Sequence, residues 1–310
     1  MIVSNLDNAN VGFILFDLIK LKGGNKMDYK DDKLNDIVVS LRRVKEKAPL
    51  VHNITNYVTV NDCANIILAC GGSPIMADDL NEVEDITSIC NSLVINIGTL
   101  NESTILSMIK AGKKSNELNH PVILDPVGIG ASKFRMYTVS KLLEEVHFSV
   151  IRGNASEIKV IYKGDDTTTD IDINSDKQST SYNTNELIGM AKQLSQRTGA
   201  IIVITGEIDI ITNGEKVYKI KNGNPMMGKI KGTGCMLSAM MGAFCGASKS
   251  SKQLEAVTTS VSMMGLAGEY AYAKVLENQR GMSSFRMHVI ESISKMDEPM
   301  LLTGAKIECY

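Results

Sequence analysis

The run Gly232-Thr233-Gly234-Cys235 is the sharpest chemical signal in the sequence, and it precedes an apolar segment that predicts a helix over 236–245. Glycines ahead of a helix let backbone N–H groups converge on one point, and the helix N-terminus adds a partial positive charge. Together these features could hold a phosphoryl group during its transfer. The same dipole predicts a lowered pKa for the Cys235 thiol. The structural alternative is a tight turn with a buried cysteine.

Two acidic side chains are placed where they could hold a magnesium ion. Asp125 follows a strand predicted at 121–124, and Glu157 comes shortly after the strand predicted at 148–151. A carboxylate there can hold Mg²⁺, often through water, and the cation and a nucleotide offset the repulsion between two carboxylates. Each residue has a structural alternative: Asp125 could cap a turn before proline, and Asn154 with Glu157 has the spacing of a capping box.

Arg152 and Thr205 are candidates for nucleotide contacts. Arg152 directly follows the strand at 148–151, and its guanidinium could bind two phosphate oxygens at once. Thr205 follows a strand predicted at 200–204 and precedes Gly206. Its hydroxyl and the glycine N–H suit a phosphate, although Thr-Gly also makes ordinary turns.

Helix and strand patterns alternate along the chain that carries these residues. Helical spacing of apolar residues predicts helices at 34–47, 57–70, 102–115, 137–145, 155–162, 185–197, 236–245, 254–276 and 285–295. Short apolar runs predict strands at 93–97, 121–124, 148–151 and 200–204, with a hairpin at 208–220 around Asn213-Gly214. This alternation predicts an α/β fold with a mostly parallel central sheet and helices on both faces. Such sheets bind ligands at the carboxyl ends of their strands.

The domain organisation follows from the same pattern. We find no internal repeat and no dividing linker, so we expect a single domain over 28–310. Residues 1–27 form an N-terminal extension that we expect to be either a disordered leader or a stretch upstream of the working start. The segment 163–184, rich in Asp, Thr, Ser and Asn, predicts a surface loop.

Composition and missing motifs narrow the function further. The 310 residues carry a net charge of −2, no tryptophan and no membrane-spanning segment, which argues against nucleic-acid and membrane partners. Six cysteines without CxxC pairs indicate unpaired thiols in a reducing compartment, the cytoplasm, with three disulfides as the alternative that an even count allows. No GxxxxGK[ST] phosphate loop, dinucleotide fingerprint or hydrolase triad is visible.

In this order, five segments resemble the ribokinase-like superfamily and, within it, the hydroxyethylthiazole kinases of thiamine salvage. They read PLVHNITNYV at 49–58, GSPIMA at 72–77, LDPVG at 124–128, RGNASE at 152–157 and GTGC at 232–235. The resemblance runs from about residue 34 to 308, and its first and last motifs together are the most specific. It implies a ribokinase-like three-layer sandwich that phosphorylates the hydroxyl of 4-methyl-5-(2-hydroxyethyl)thiazole with ATP.

The resemblance also implies roles for the acceptor side of the site. Met76 would hold the thiazole through its backbone, and Asn56 would lie near the same pocket. Gly232 would border the substrate hydroxyl. Cys235 would be the catalytic residue, although many ribokinase-like kinases carry aspartate there as a general base. Whether Cys235 is the base or only part of the anion hole formed by Gly232–Gly234 stays open.

On the donor side, the resemblance implies ATP binding by Arg152 and Thr205. Asp125 and Glu157 would hold Mg²⁺ and phosphate oxygens. It further implies a homotrimer with active sites at the subunit interfaces. The segment 163–184 departs from the family because it lacks the Lys-Gly-Val-Asp run that many relatives carry near the nucleotide.

Two other functions are weighed against this one. The first is a related vitamin kinase that acts on hydroxymethylpyrimidine, its phosphate or pyridoxal, and the segments 53–56 and 73–76 argue against it. The second is an inactive thiazole- or nucleotide-binding protein with a regulatory role, for which the sequence offers no lost motif.

Overall fold

A computed structural model describes residues 32–164 and 183–310. By its contacts the chain divides into two units, and the fold below is that of the second, Asp36–Tyr310. The predicted extension 1–27 and residues 165–182 of the predicted surface loop lie outside the described residues. At the centre of the described part is a sheet of nine strands: β1 (Leu50–Ile54), β2 (Ser73–Met76), β3 (Ser92–Asn96), β4 (Val122–Asp125), β5 (Val150–Asn154), β6 (Ile201–Thr205), β7 (Asp209–Thr212), β8 (Val217–Ile220) and β9 (Ile307–Cys309).

The strand order is β2-β1-β3-β4-β5-β6-β7-β8-β9. The strands from β2 to β6 in this order are parallel, and β7, β8 and β9 pair antiparallel. The register pairs Asn96 with Asp125 across β3 and β4, and Asn154 with Thr205 across β5 and β6. The carboxyl ends of the central strands therefore form one edge, where polar residues from different parts of the sequence meet.

Helices cover both faces of the sheet, as predicted. They are α1 (Asp32–Lys47), α2 (Val60–Cys70), α3 (Val83–Ile89), α4 (Glu102–Glu117), α5 (Lys133–Glu145), α6 (Ala155–Lys163), α7 (Thr184–Thr198), α8 (Thr233–Ala247), α9 (Gln253–Glu277), α10 (Met282–Lys295) and α11 (Glu298–Gly304). Successive strand residues point to opposite faces. Accordingly Val94 belongs to the hydrophobic cluster that contains residues of α1, α2, α8, α9 and α10, whereas Leu93 and Ile95 belong to the cluster that contains residues of α3 to α7. The three-layer sandwich is confirmed.

Helix α8 lies deepest in the first of these layers. Most of its fifteen residues are buried, including Met236, Met240 and Phe244. A helix that is apolar on all sides belongs inside a protein. It packs against α2, α9 and the central strands β1, β3 and β4, so its N-terminus is held at the polar edge of the sheet.

Strands β1, β2 and β9 and helices α3 and α11 have no counterpart among the predicted elements. In β1 the buried polar residues His52 and Asn53 interrupt the apolar run. In β2 Pro74 opposes a strand assignment, and it is tolerated because β2 is at the edge of the sheet.

Several predicted boundaries are wrong. The helix predicted at 57–70 begins only at Val60, because the Asn56 side chain accepts hydrogen bonds from the N–H and hydroxyl of Thr59 and folds the preceding residues into a turn. Asp125 and Thr205 do not follow their strands but are the last residues of β4 and β6, and Arg152 lies inside β5 instead of after it.

Candidate active site

Asp125 is the centre of the polar edge. Its carboxylate is fully buried, and its Oδ2 accepts hydrogen bonds from Asn96 Nδ2 at 2.8 Å and Ser238 Oγ at 2.9 Å. Its Oδ1 lies 3.5 Å from Arg152 Nη1. Burial raises the pKa of Asp125, while the Arg152 charge and the hydrogen bonds from Ser238 and Asn96 oppose the rise. The alternative prediction, a turn cap, is wrong, because these contacts go to side chains of β3, β5 and α8.

Cys235 lies in the first turn of α8 and is bonded to the same group of side chains. Its sulfur accepts from Asn96 Nδ2 at 3.2 Å and from Asn56 Nδ2 at 3.3 Å. The two amides are themselves joined, because Asn56 Nδ2 donates to Asn96 Oδ1 at 3.1 Å. Asn56, Asn96, Cys235 and Asp125 therefore form one connected set of side chains from four segments distant in sequence.

The pKa predicted for Cys235 is wrong in direction. Burial raises the pKa of the thiol, and the Asp125 carboxylate raises it further, while hydrogen bonds from Thr59, Asn96 and Asn56 lower it only in part. The helix N-terminus favours a thiolate, whereas the loss of solvent and the neighbouring carboxylate favour the protonated thiol.

Arg152 connects this set to Thr205. Its Nη2 donates to Thr205 Oγ1 at 2.7 Å, and the residue is 9% exposed. The guanidinium lies against the glycine loop, since a Cβ on Gly234 would come within 2.5 Å of Arg152 Nη1. Gly234 therefore carries no side chain because the arginine occupies that space. The predicted neighbours Arg152, Thr205 and Gly234 are brought together.

Gly232 and Thr233 complete the loop before α8. Gly232 has a φ of 103°, which favours glycine, and a Cβ there would lie 2.8 Å from Thr59 Cγ2. Thr233 Oγ1 donates to the carbonyl of Met227 at 3.1 Å and anchors the loop. The first N–H groups of a helix have no partner within it, so this end of α8 can accept an anion.

Glu157 has the structural role that its spacing predicts. It forms a capping box with Asn154 at the start of α6, with its Oε2 accepting from the Asn154 N–H at 2.8 Å. Its Oε1 accepts from the N–H of Gly128, also at 2.8 Å. Burial, and next the Asp125 charge, raise the pKa of Glu157. The two carboxylates therefore lie within electrostatic reach of each other.

Met76 lies at the same edge of the sheet but farther from Cys235. It is the last residue of β2 and pairs with Asn53 of β1. Strand β1 therefore lies between Met76 and β3, the strand that carries Asn96. The structure thus places it on the side of the edge that carries Asn56.

Comparison with known proteins agrees with this geometry. The model of the hydroxyethylthiazole kinase family matches residues 41–299, most of the chain. This chain belongs to the hydroxyethylthiazole kinase family. It is 56% identical to hydroxyethylthiazole kinase of Clostridium acetobutylicum over 270 residues, which cover 87% of this chain and 98% of that protein. It is 51% identical to the Clostridium tetani protein of the same name, with 86% and 96% covered.

Solved structures also show a likeness to a hydroxyethylthiazole kinase. Hydroxyethylthiazole kinase of Pyrococcus horikoshii superposes with a TM-score of 0.78 at 32% identity, covering 89% of this chain and 99% of that one. Pyridoxal kinase of Staphylococcus aureus in complex with pyridoxal superposes with a TM-score of 0.56 at 14% identity, covering 84% and 97%. The second likeness shows the shared fold alone. The protein is therefore a kinase with a ribokinase-like fold.

The two acidic residues of this candidate site fit a magnesium ion. Asp125 and Glu157 are two neighbouring carboxylates, and the pKa of each is raised by burial, which a cation would relieve. The described residues contain no group of three or more His, Cys, Asp or Glu able to enclose a metal. Mg²⁺ in kinases is held by one or two carboxylates together with water and phosphate oxygens.

Three polar residues, Asn96, Ser238 and Asp209, have no counterpart among the predicted site residues. Asn96 is the one polar residue in the strand predicted at 93–97, and Ser238 is the one hydroxyl in the apolar run 236–245, so a polar residue inside a buried pattern was the available signal. Asp209 carries no such signal. It accepts from the Gly206 N–H at 2.9 Å, in the turn after Thr205.

Among the described helices, none is long and apolar enough to cross a membrane.

Proposed function

We propose that this protein transfers the γ-phosphoryl group of ATP to the hydroxyl of 4-methyl-5-(2-hydroxyethyl)thiazole, as in thiamine salvage. One observation carries the proposal. In a member of the hydroxyethylthiazole kinase family, Cys235 at the N-terminus of α8 and the buried Asp125 are joined through Asn96, with Arg152 beside them. This arrangement combines an anion site, a carboxylate and a guanidinium, the parts that phosphoryl transfer requires.

The acceptor alcohol would bind on the β1–β2 side of this edge. The backbone of Met76 would hold the thiazole ring, and Asn56 would border the pocket through the amide that also donates to Cys235. Gly232 would lie beside the hydroxyl. Thr59 lies so close to Gly232 that only a residue without a side chain fits there. The alcohol oxygen would then lie near the N-terminus of α8, in line with the phosphoryl group.

ATP would bind on the β5–β6 side. Arg152 Nε is buried and has no hydrogen-bond partner within the described protein, so the guanidinium keeps a donor for a phosphate oxygen. Thr205 already orients Arg152 from β6. Asp125 and Glu157 would hold Mg²⁺, which neutralises charge on the phosphate oxygens when it is bound.

Cys235 has two possible tasks. Either it accepts the proton of the alcohol as a general base, or it takes no part in proton transfer and only lines the anion hole that Gly232, Thr233 and Gly234 form. A raised pKa keeps the thiol protonated near neutral pH, and a protonated thiol accepts no proton. This observation favours the second task, with the glycine loop stabilising the transferring charge.

We further propose a homotrimer with sites at the subunit interfaces and a cytoplasmic location. Tyr57 and Val58 follow Asn56 directly and are 79% and 64% exposed. Large apolar side chains so exposed beside a site suit a contact with another subunit. Within the described residues, which include all six cysteines, no disulfide forms, as suits a reducing compartment.

A coupled assay of ADP release tests the proposed function. The purified protein is given ATP and Mg²⁺ with the thiazole alcohol, with hydroxymethylpyrimidine or with pyridoxal, and without acceptor. We expect ADP release that depends on the thiazole alcohol and on Mg²⁺. Turnover with a pyrimidine or pyridoxal alcohol but not with the thiazole would instead favour the related vitamin kinase.

A further inference from the structure

His52 is a fully buried histidine that the proposed mechanism does not use. It lies in the middle of β1 and is 0% exposed. Its Nε2 lies 2.8 Å from the carbonyl oxygen of Ala77, and its Nδ1 lies 3.0 Å from Thr87 Oγ1 of α3. One ring thus joins the first strand, the residue after β2 and a covering helix.

The partners of His52 decide where its proton is. A carbonyl oxygen can only accept, so Nε2 carries the proton and donates to Ala77. Burial lowers the pKa of His52, which keeps the ring neutral and leaves Nδ1 as an acceptor for the Thr87 hydroxyl. That hydroxyl also lies 2.6 Å from the carbonyl of Val83, so its single proton serves two acceptors. The neutral ring therefore shares the Thr87 proton with the Val83 carbonyl, whereas its own Nε2 proton goes to the Ala77 carbonyl alone.

Ala77 is the residue directly after Met76. Strand β2 is at the edge of the sheet, where β1 is its one neighbour in the described part of the chain, and the ladder between them reaches Met76 but not Ala77. Beyond that point the buried carbonyl of Ala77 is held by the imidazole. The direction in which the Met76 backbone leaves the strand thus depends on the side chain of His52, the residue directly before Asn53, which is the ladder partner of Met76.

We propose that His52 is a positioning residue that sets the affinity for the acceptor alcohol, by fixing Ala77 and with it the backbone of Met76. The inference rests on the proposed function, in which that backbone binds the thiazole ring. Because His52 faces β2 and not Arg152 or Thr205, its influence falls on the acceptor and not on ATP.

Three variants separate this role from simple packing. In His52→Gln the side-chain amide nitrogen takes the place of Nε2 and can still donate to Ala77, whereas in His52→Asn it takes the place of Nδ1 and cannot reach. Thr87→Val removes the hydroxyl on the other side of the ring with little change in volume. We expect His52→Asn to raise the KM for the thiazole alcohol at least about fivefold, since a buried carbonyl loses its donor. His52→Gln and Thr87→Val should stay within about twofold, and the KM for ATP should not move.

A His52→Asn enzyme with an unchanged KM for the thiazole, or with equal losses for both substrates, would overturn the proposal. Hydrogen–deuterium exchange over residues 73–78 supplies a readout independent of turnover. It should be faster in His52→Asn than in His52→Gln, and equal exchange also overturns the proposal. If His52→Asn does not fold, His52→Gln and Thr87→Val decide, because a tenfold KM increase in Thr87→Val would assign the role to the Nδ1 side. If the wild-type protein does not phosphorylate the thiazole, the proposed function fails, and the exchange experiment still tests what His52 holds.

Discussion

The sulfur of Cys235 and the Oδ2 of Asp125 accept hydrogen bonds from one and the same nitrogen, Nδ2 of Asn96, at 3.2 and 2.8 Å. The two hydrogens of that amide thus connect the thiol and the carboxylate without a direct contact between them. Asn96 therefore holds the N-terminus of α8 next to the end of β4. It also lets the charge of Asp125 act on the thiol.

Asn96→Ala tests the contribution of this link. The variant removes a donor to a buried carboxylate, and hydrogen bonds to charged groups contribute about 1.5–3 kcal/mol. We therefore expect kcat/KM for the thiazole alcohol to fall roughly ten- to a hundredfold. Asn278→Ala, at the exposed end of α9, is the control and should leave it unchanged. Equal activity of the two variants would show that the shared donor is not part of the catalytic machinery.

The reactivity of Cys235 should depend on Asp125. Because the carboxylate raises the pKa of the thiol, Asp125→Asn should lower that pKa, while burial continues to raise it. Alkylation of Cys235 by iodoacetamide, followed by mass spectrometry of its peptide, should therefore be slow near neutral pH in the wild-type protein. In Asp125→Asn the increase of the alkylation rate with pH should occur at lower pH than in the wild-type protein. A profile that is the same in both proteins would contradict the coupling.

The polar edge of the sheet could be located from the sequence, but the hydrogen bonds that connect its residues could not. Asp125, Arg152, Thr205 and Gly232–Cys235 could be placed there because each directly follows an apolar run that predicts a strand or precedes one that predicts a helix. Asn96 could not be placed from the apolar pattern, because its partners Asp125 and Cys235 come from other segments that only the fold brings together.

The same limit explains the two main errors. Strand β1 has no counterpart among the predicted elements because its polar residues are satisfied by tertiary partners: His52 bonds to Thr87 and Ala77. The pKa of Cys235 was predicted from its helix position alone, whereas the burial and the nearby carboxylate that decide it are properties of the folded protein.

Gly234→Ala should weaken ATP binding. Its methyl group would come within 2.5 Å of Arg152 Nη1 and would force the guanidinium away from Thr205. We expect the KM for ATP to rise by about tenfold or more, as for loss of a charge-assisted hydrogen bond. Gly189→Ala, in α7, is the matched control, because no atom of the described residues lies within 4 Å of its added Cβ. If both substitutions leave the KM for ATP unchanged, Arg152 does not contact the nucleotide.

Asp209 should make the stability of the protein depend on pH. Burial raises its pKa from the ordinary 3.8 to about 6, against the opposing effects of the Gly206 N–H and the Arg152 charge. Between about pH 4 and about pH 6 the folded protein therefore binds more protons at this residue than the unfolded one. The contribution of Asp209 to the free energy of unfolding then falls as the pH rises through that window.

Thermal or urea unfolding of wild type and Asp209→Asn across this range measures the contribution. The amide does not titrate, so the difference in stability between the two proteins should change in favour of the variant as the pH rises. A difference that is constant with pH would show that the carboxylate titrates alike in both states.

The most direct test of the account is phosphorylation of the thiazole alcohol by the wild-type protein and by Asp125→Asn, measured as product formed and ADP released at saturating ATP and Mg²⁺. We predict equal amounts of thiazole phosphate and ADP from the wild type. We predict a rate lower by at least about a hundredfold in a folded Asp125→Asn, because a buried charge at the reacting phosphates is removed. Absence of thiazole phosphate with the wild-type protein, or an Asp125→Asn variant of normal rate, would contradict the account.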